Sequence, residues 1–188
     1  MKRCPWVPAR NKLYQDYHDK EWGVPVHDDK IHFEFLILEG AQAGLSWETI
    51  LKRRTGYRKA FANFNAKKVA KFNKRDINQL LKNKGIIRNR LKVKSAVNNA
   101  KNFLKVQKEF GSFDKYIWQF VNNKTIVSKL KKLSDYQTTS KEAEALSRDL
   151  KKRGFKFVGP TIIYAHMQAT GLVNDHTINC FRYKQLIR

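Results

Sequence analysis

Helix start and stop signals recur along this chain at short intervals, and almost nothing in it alternates like a strand. Asp28–Asp29 precedes an apolar run from about Lys30 to Leu38, and Ser46 precedes one reaching Phe61. Asn65 and Asn73 each precede a short helical pattern, and Ser112 precedes one carrying Tyr116, Ile117, Phe120 and Val121. Small polar side chains at these positions accept hydrogen bonds from otherwise orphaned first-turn N–H groups. Thr139–Ser140–Lys141–Glu142 reads as a capping box for a helix ending at Gly154. Gly159–Pro160 opens another, with proline at the first position, and Gly171 closes it. Between Arg88 and Phe110, Val93, Ala96, Val97, Ala100, Phe103 and Leu104 share one helical face, and Gly111 stops the helix. Only GFKFVG at 154–159 alternates, and it is too short to make a sheet. The expected class is all-α. The segment 123–140 reads as a connection, and no repeat or low-complexity linker divides the chain.

With 188 residues, 41% of them apolar, the chain can bury one core, or two small lobes sharing one. No apolar run reaches the ~18 residues of a spanning helix. MKRCPWVPARNK lacks the apolar stretch of a secretory leader, so the expected location is cytoplasmic, with no membrane partner.

The net charge is +23, and its distribution matters more than its size. Residues 49–108 hold nineteen bases against one acid, Asp76, whereas residues 1–48 hold six against eight. A basic face beside an acidic pocket suits a polyanion that carries a cationic or hydrogen-donating target. A lysine-rich bias is the plainer source, since 27 of the 39 bases are Lys.

The acidic segment contains FEFLILEGAQAGLSW, residues 33–47, where Glu39 ends an apolar run. Burying an unpaired carboxylate costs several kcal/mol, so something must compensate Glu39. Trp6, Tyr14, Tyr17, Trp22 and Trp47 crowd the same quarter of the chain. Aromatics usually pack cores, which is the role expected of Trp22. Beside a carboxylate they could instead stack a flipped base.

Cys4 and His18 lie near one end of the chain, and His176 and Cys180 near the other. The H-x-x-x-C spacing of HTINC would place two ligands on one helix face. Together the four have the composition of a closed Cys2His2 zinc site; the alternative is two buried thiols with incidental histidines. A disulfide is not expected in a cytosolic chain. LLKNKGIIRNRLKVKSAV at 80–97 has the outline of a helix–hairpin–helix, whose backbone N–H groups hold a DNA phosphate. Arg88 stands where that motif has a second glycine, and an ordinary basic helix turn is the competing reading.

These stretches, taken in order, resemble bacterial 3-methyladenine DNA glycosylase I: RCPW at 3–6, YHDKEWGVP at 17–25, LEGAQAGLSW at 38–47, GIIRNR at 85–90, LKKRGFKFVGPT at 150–161 and GLVNDH at 171–176, followed by Cys180. The resemblance implies a helix–hairpin–helix glycosylase fold forming one domain over 1–188, with the hairpin at about 80–97. A lobe built from about 1–22 and 171–188 would be stapled by one structural zinc on Cys4, His18, His176 and Cys180. In the implied base pocket, Glu39 and Tyr17 hydrogen-bond the damaged base while Trp47 and Trp6 pack against it. Gly44 and Leu45 face the gap left by the flipped nucleotide, and Gly85, Ile86, Arg88 and Arg90 contact DNA.

The implied partner is double-stranded DNA with alkylated bases, bound by a monomer in a bacterial cytoplasm at the nucleoid. The implied activity is hydrolytic release of 3-methyladenine without strand cleavage. A ring-methylated base is already cationic and a good leaving group, so Glu39, the expected catalytic residue, acts by hydrogen-bonding and attracting it rather than as a strong acid. Glu109 and Asp114, the acids following the hairpin, are not expected to be catalytic. The rival readings are a glycosylase for another lesion and a non-enzymatic, zinc-stapled nucleic-acid-binding protein.

Overall fold

A computed structural model describes residues 1–187. The longest apolar stripe forms its central helix, α6 (Arg90–Phe110), which buries Val93, Ala96, Val97, Ala100, Phe103 and Val106. Leu104 is only half-buried, because the buried face continues through Val106. The other helices are α1 (Lys12–Lys20), α2 (Asp29–Gln42), α3 (Trp47–Ala60), α4 (Ala66–Val69) and α5 (Lys74–Lys82) before it, and α7 (Phe113–Trp118), α8 (Lys141–Lys152), α9 (Pro160–Ala169) and α10 (Phe181–Gln185) after it. The chain is mostly helical, as expected. The exception is a two-residue parallel bridge, β1 (Ile126–Val127) with β2 (Val173–Asn174), which ties the segment after α7 to the C-terminal segment.

α2 is buried continuously from His32 to Ala41 and packs against α3, α6, α7 and α9. A helix that is apolar all round belongs at the centre of a fold. The expected caps form at Asp28, Ser46, Asn65, Asn73, Ser112 and Ser140. Asp29, next to the α2 cap, accepts instead from the Phe113 and Asp114 N–H groups and so caps α7 from a distance (2.8 Å each).

Three expectations are corrected. The reciprocal capping box is not at Thr139–Glu142: Ser140 is the cap there and accepts from Ala143, which leaves Glu142 one position short. The reciprocal box forms at Asn73 and Asp76. GFKFVG is not a strand. Side chains satisfy its backbone: Asn99 both accepts from Lys156 N–H and donates to Lys156 O (2.8 Å each), while Asn98 donates to Gly154 O and Ser147 to Val158 O. HTINC is not helical either; Cys180 is the N-cap of α10, and His176 lies outside any helix or strand before it.

α5 and α6 are joined by 83–89, the expected hairpin position. α3 approaches this connection so closely that a Cβ on Gly56 would run into the Gly85 carbonyl. Lys92, in the first turn of α6, donates to Ala41 O (2.8 Å) and Ala43 O (2.6 Å) at the end of α2. One ammonium thus locks the hairpin helix to the turn at Gly44, which has φ +76°. No helix among the described residues is long and apolar enough to cross a membrane.

Candidate active site and metal centre

Tyr17 and His18 are neighbours on α1, a helix the sequence signals did not single out although Asn11 caps it. One helical step separates their side chains by about 100°, so α1 serves two sites. Tyr17 lines a cavity, and His18 joins a cluster with Cys4, His176 and Cys180.

The cavity has a volume of about 330 Å³, at the lower end for ligand sites. It gathers Trp6, Tyr14, Tyr17, Trp22, Glu39 and Trp47, residues spread over the first 47 positions. Tyr17 and Trp47 meet at 5.4 Å between ring centroids, and Phe35 stacks behind Trp47 at 6.3 Å. Trp6 packs edge-on against Trp22 at 4.8 Å. Trp22, expected in the core, is both buried and part of this lining.

Glu39 is 4% exposed, and burial alone pushes its carboxyl up to about 8. Burial and the nearby Glu39 also hold the Tyr17 phenol above its ordinary range. Glu34, on the same helix, is equally buried but is met by Arg54 Nε at 2.7 Å and Arg58 at 3.2 Å. Two buried carboxylates therefore share α2. One is neutralised within the protein, and the other faces a cavity with no ion-pair partner among the described residues.

Sequence reasoning did not find Gln42, Leu133, Tyr136, Gln137, Ala165 and Gln168, which complete the lining. The last five come from the 123–140 connection and from α9, distant in sequence from Glu39. Gln168 is held by Asp175, which accepts from it and from Tyr164 (2.7 Å each). Glu109 is engaged by Arg153 and Asp114 by His27, and neither lines the cavity. A larger groove of about 500 Å³ lies between α2, 62–68 and α6, but its one acid, Asp29, is spent on capping α7.

Leu45 projects beyond Gly44 and is 40% exposed. In the α5–α6 connection, Gly85 N–H bonds to Asn83 Oδ1 (2.8 Å) and Ile87 N–H to the Tyr57 hydroxyl (3.2 Å), while Ile86 is buried. Arg88 and Arg90 are exposed. The first-turn N–H groups of Arg90 and Leu91 have no intrahelical acceptor, whereas Lys92 N–H is capped by Asn89.

The four Cys/His donor atoms lie within 4.8 Å of one another, and all four residues are buried. His176 Nδ1 is 3.4 Å from both sulfurs, and His18 Nε2 is 3.5 Å from Cys180 Sγ. A tetrahedral site with bonds of ~2.3 Å to S and ~2.0 Å to N has an S···N edge of about 3.5 Å. The outward nitrogens are also fixed. His18 Nδ1 faces Asp19 Oδ1 (2.7 Å), which Arg3 grips in turn, and His176 Nε2 faces Trp22 O (2.9 Å). Such partners orient metal-binding histidines. The cluster can hold a metal ion.

The methyladenine glycosylase family model matches residues 6–183. The chain is 47% identical over 183 residues to DNA-3-methyladenine glycosylase 1 of Escherichia coli, covering 97% of each. It is 49% identical over 178 residues to the DNA-3-methyladenine glycosylase of Haemophilus influenzae, covering 95% of this chain and 96% of the relative. Its fold matches, with a TM-score of 0.94 and 38% identity, a tyrosine-to-phenylalanine variant of 3-methyladenine DNA glycosylase I in complex with 3-methyladenine, over 97% of this chain and 98% of that one. The chain belongs to the methyladenine glycosylase family.

Proposed function

We propose that this protein is a DNA-3-methyladenine glycosylase of base-excision repair: it flips an alkylated nucleotide out of the duplex and releases the base by hydrolysis. The observation that carries this reading is Glu39, a buried carboxylate without a partner in an aromatic cavity. A cationic base would supply the missing charge. The carboxylate accepts from the amino edge and attracts the cation, more strongly in a dry pocket than in water. Aromatic faces add about 0.5–2 kcal/mol each. Normal adenine is neutral and forgoes the Coulomb part.

The methylated base leaves readily, so neither a strong acid nor a Schiff-base lysine is needed, and the phosphodiester backbone stays intact. Tyr17 joins Glu39 at the base edge, and Trp6 and Trp47 wall the pocket. We read the α5–α6 connection as the helix–hairpin–helix, with Arg88, Arg90 and the open first turn of α6 at a phosphate. Leu45 fills the gap left in the duplex. The whole chain acts as one glycosylase domain.

We assign the Cys4, His18, His176 and Cys180 cluster to zinc; soft thiolates with imidazoles, three of their S···N distances at 3.4–3.5 Å, suit that ion. Its contribution would be structural, since four protein ligands leave no position for substrate or water.

The test is chromatography of bases released from methylated DNA, with Glu39→Gln beside wild type. A hydrogen bond to a charged group contributes about 1.5–3 kcal/mol, so excision should fall roughly tenfold to a hundredfold. DNA binding and zinc content should be retained. Wild-type excision by Glu39→Gln would overturn the pocket assignment, and a borohydride-trapped DNA adduct would overturn hydrolysis without strand cleavage.

A further inference from the structure

The 123–140 segment is more than a connection, because Leu133, Tyr136 and Gln137 line the cavity that holds Glu39. Leu133 is also 58% exposed. A lone exposed leucine carries little meaning by itself. This one borders a cavity, and cations precede it: Lys129, Lys131 and Lys132 are all exposed. The one acid between 129 and 137 is Asp135. Its carboxylate accepts from the Lys131 and Lys132 N–H groups (2.8 and 3.0 Å), which hold it below the ordinary carboxylate range. The segment therefore offers an apolar tip beside three lysines.

Backbone hydrogen bonds brace that tip. Ser128 N–H donates to Asn174 O (3.1 Å) and Ile178 N–H to Leu130 O (2.8 Å), which fastens the segment to the C-terminal chain. Asp135 N–H donates to Lys132 O (3.1 Å) and Tyr136 N–H to Leu133 O (3.3 Å), which closes the turn around Leu133. A side chain carried on a braced turn loses little freedom when a partner covers it.

The partner must be polyanionic for the lysines and must offer an apolar face to the leucine. A DNA strand has both: phosphates along its edge, and sugar and base faces laid open where a nucleotide leaves the stack.

We propose that residues 129–137 form a second DNA contact at the mouth of the base pocket. Leu133 packs against the sugar and base next to the extruded nucleotide, while Lys129, Lys131 and Lys132 neutralise the phosphates alongside. This contact is distant in sequence from both Leu45 and the α5–α6 connection. It rests on the glycosylase reading above and names a further part of the chain that holds the damaged strand over the cavity.

Full-length wild type, Leu133→Ala and the double variant Lys131→Gln/Lys132→Gln are compared by fluorescence anisotropy over a salt series. The probes are two duplexes of one sequence, one intact and one carrying a tetrahydrofuran abasic site. Loss of two phosphate contacts should flatten the logarithmic salt slope of the lysine variant by about 1.8 on both duplexes. Leu133→Ala should keep the wild-type slope and its affinity for intact duplex, but lose about fivefold or more on the abasic duplex. Leu133→Gln, which keeps the side-chain length, should lose the same preference. An unchanged slope in the lysine variant overturns the proposal. So does a wild-type preference for the abasic duplex in both Leu133 variants.

Base release from methylated DNA is measured on the same wild-type protein. Absence of 3-methyladenine among the products overturns the glycosylase reading, whereas the salt slope and the abasic preference decide the contact itself.

Discussion

Glu34 and Glu39 occupy one helix, five positions apart, yet they differ in chemistry because of what faces them. Arg54 and Arg58 neutralise Glu34, while Glu39 opens on a cavity with its carboxyl raised to about 8. A raised carboxyl favours the neutral form in the fold, so stability is fullest below the unfolded value of 4.5 and declines as pH rises toward about 8. Glu39→Gln escapes that loss. Its urea midpoint should exceed that of wild type by more at pH 9 than at pH 5, and an equal difference at both would contradict the shift. The ionised form is the one that binds a cation, and kcat/KM follows ionisation of the free enzyme. Wild-type kcat/KM should therefore rise with pH and level off above about 8, and the variant should lack that limb. An apolar run ending in a carboxylate was legible at Glu39. The pairing of Glu34 was not, because its partners lie twenty and more residues away on α3.

Helices carry the next level of organisation, and there the start signals were more reliable than the patterns between them. Caps at Ser46, Asn65 and Ser112 form where the sequence places them, because capping involves groups within three residues. GFKFVG misleads because period-two alternation records which side chains are buried, not where the backbone hydrogen bonds go. Here Asn98, Asn99 and Ser147 take them. In the α5–α6 connection most inner N–H groups are already bonded, so the proposed phosphate contact rests on the first turn of α6 with Arg88 and Arg90. Replacing Arg88 and Arg90 with Ala should weaken DNA binding on all sequences alike and flatten its salt dependence by about two units of slope. Fluorescence anisotropy over a salt series measures this, and an unchanged slope would move the DNA contact elsewhere. Lys92→Met should leave the fold intact but free the turn at Gly44 and Leu45, seen as faster amide exchange at 43–46 and slower excision.

Across the whole molecule, the two chain ends meet at the Cys4, His18, His176 and Cys180 cluster and the contacts around it. A ligand that binds only the folded state adds about 4 kcal/mol at a thousandfold excess over its Kd, worth about 10 °C in a chain of this size. Stripping zinc with a strong chelator should lower Tm by about that amount. It should also expose 1–22 and 171–187 to protease before the helical centre. A stripped protein that melts as the loaded one does would rule out the staple.

Some features follow from the sequence alone because their physics is local: the mostly helical class, the caps, the segregation of positive charge into the middle third, and the residue types of a candidate metal site and a candidate base pocket. Others required the tertiary structure because they depend on which distant groups meet. These include the gathering of four candidate metal-binding side chains from opposite ends of the chain within 4.8 Å and the contribution of α9 and the 123–140 segment to the pocket. Above all, a carboxylate is silent in sequence about its partners. Burial without an ion pair, on which the proposed cation binding at Glu39 rests, exists only once α2 is packed on all sides.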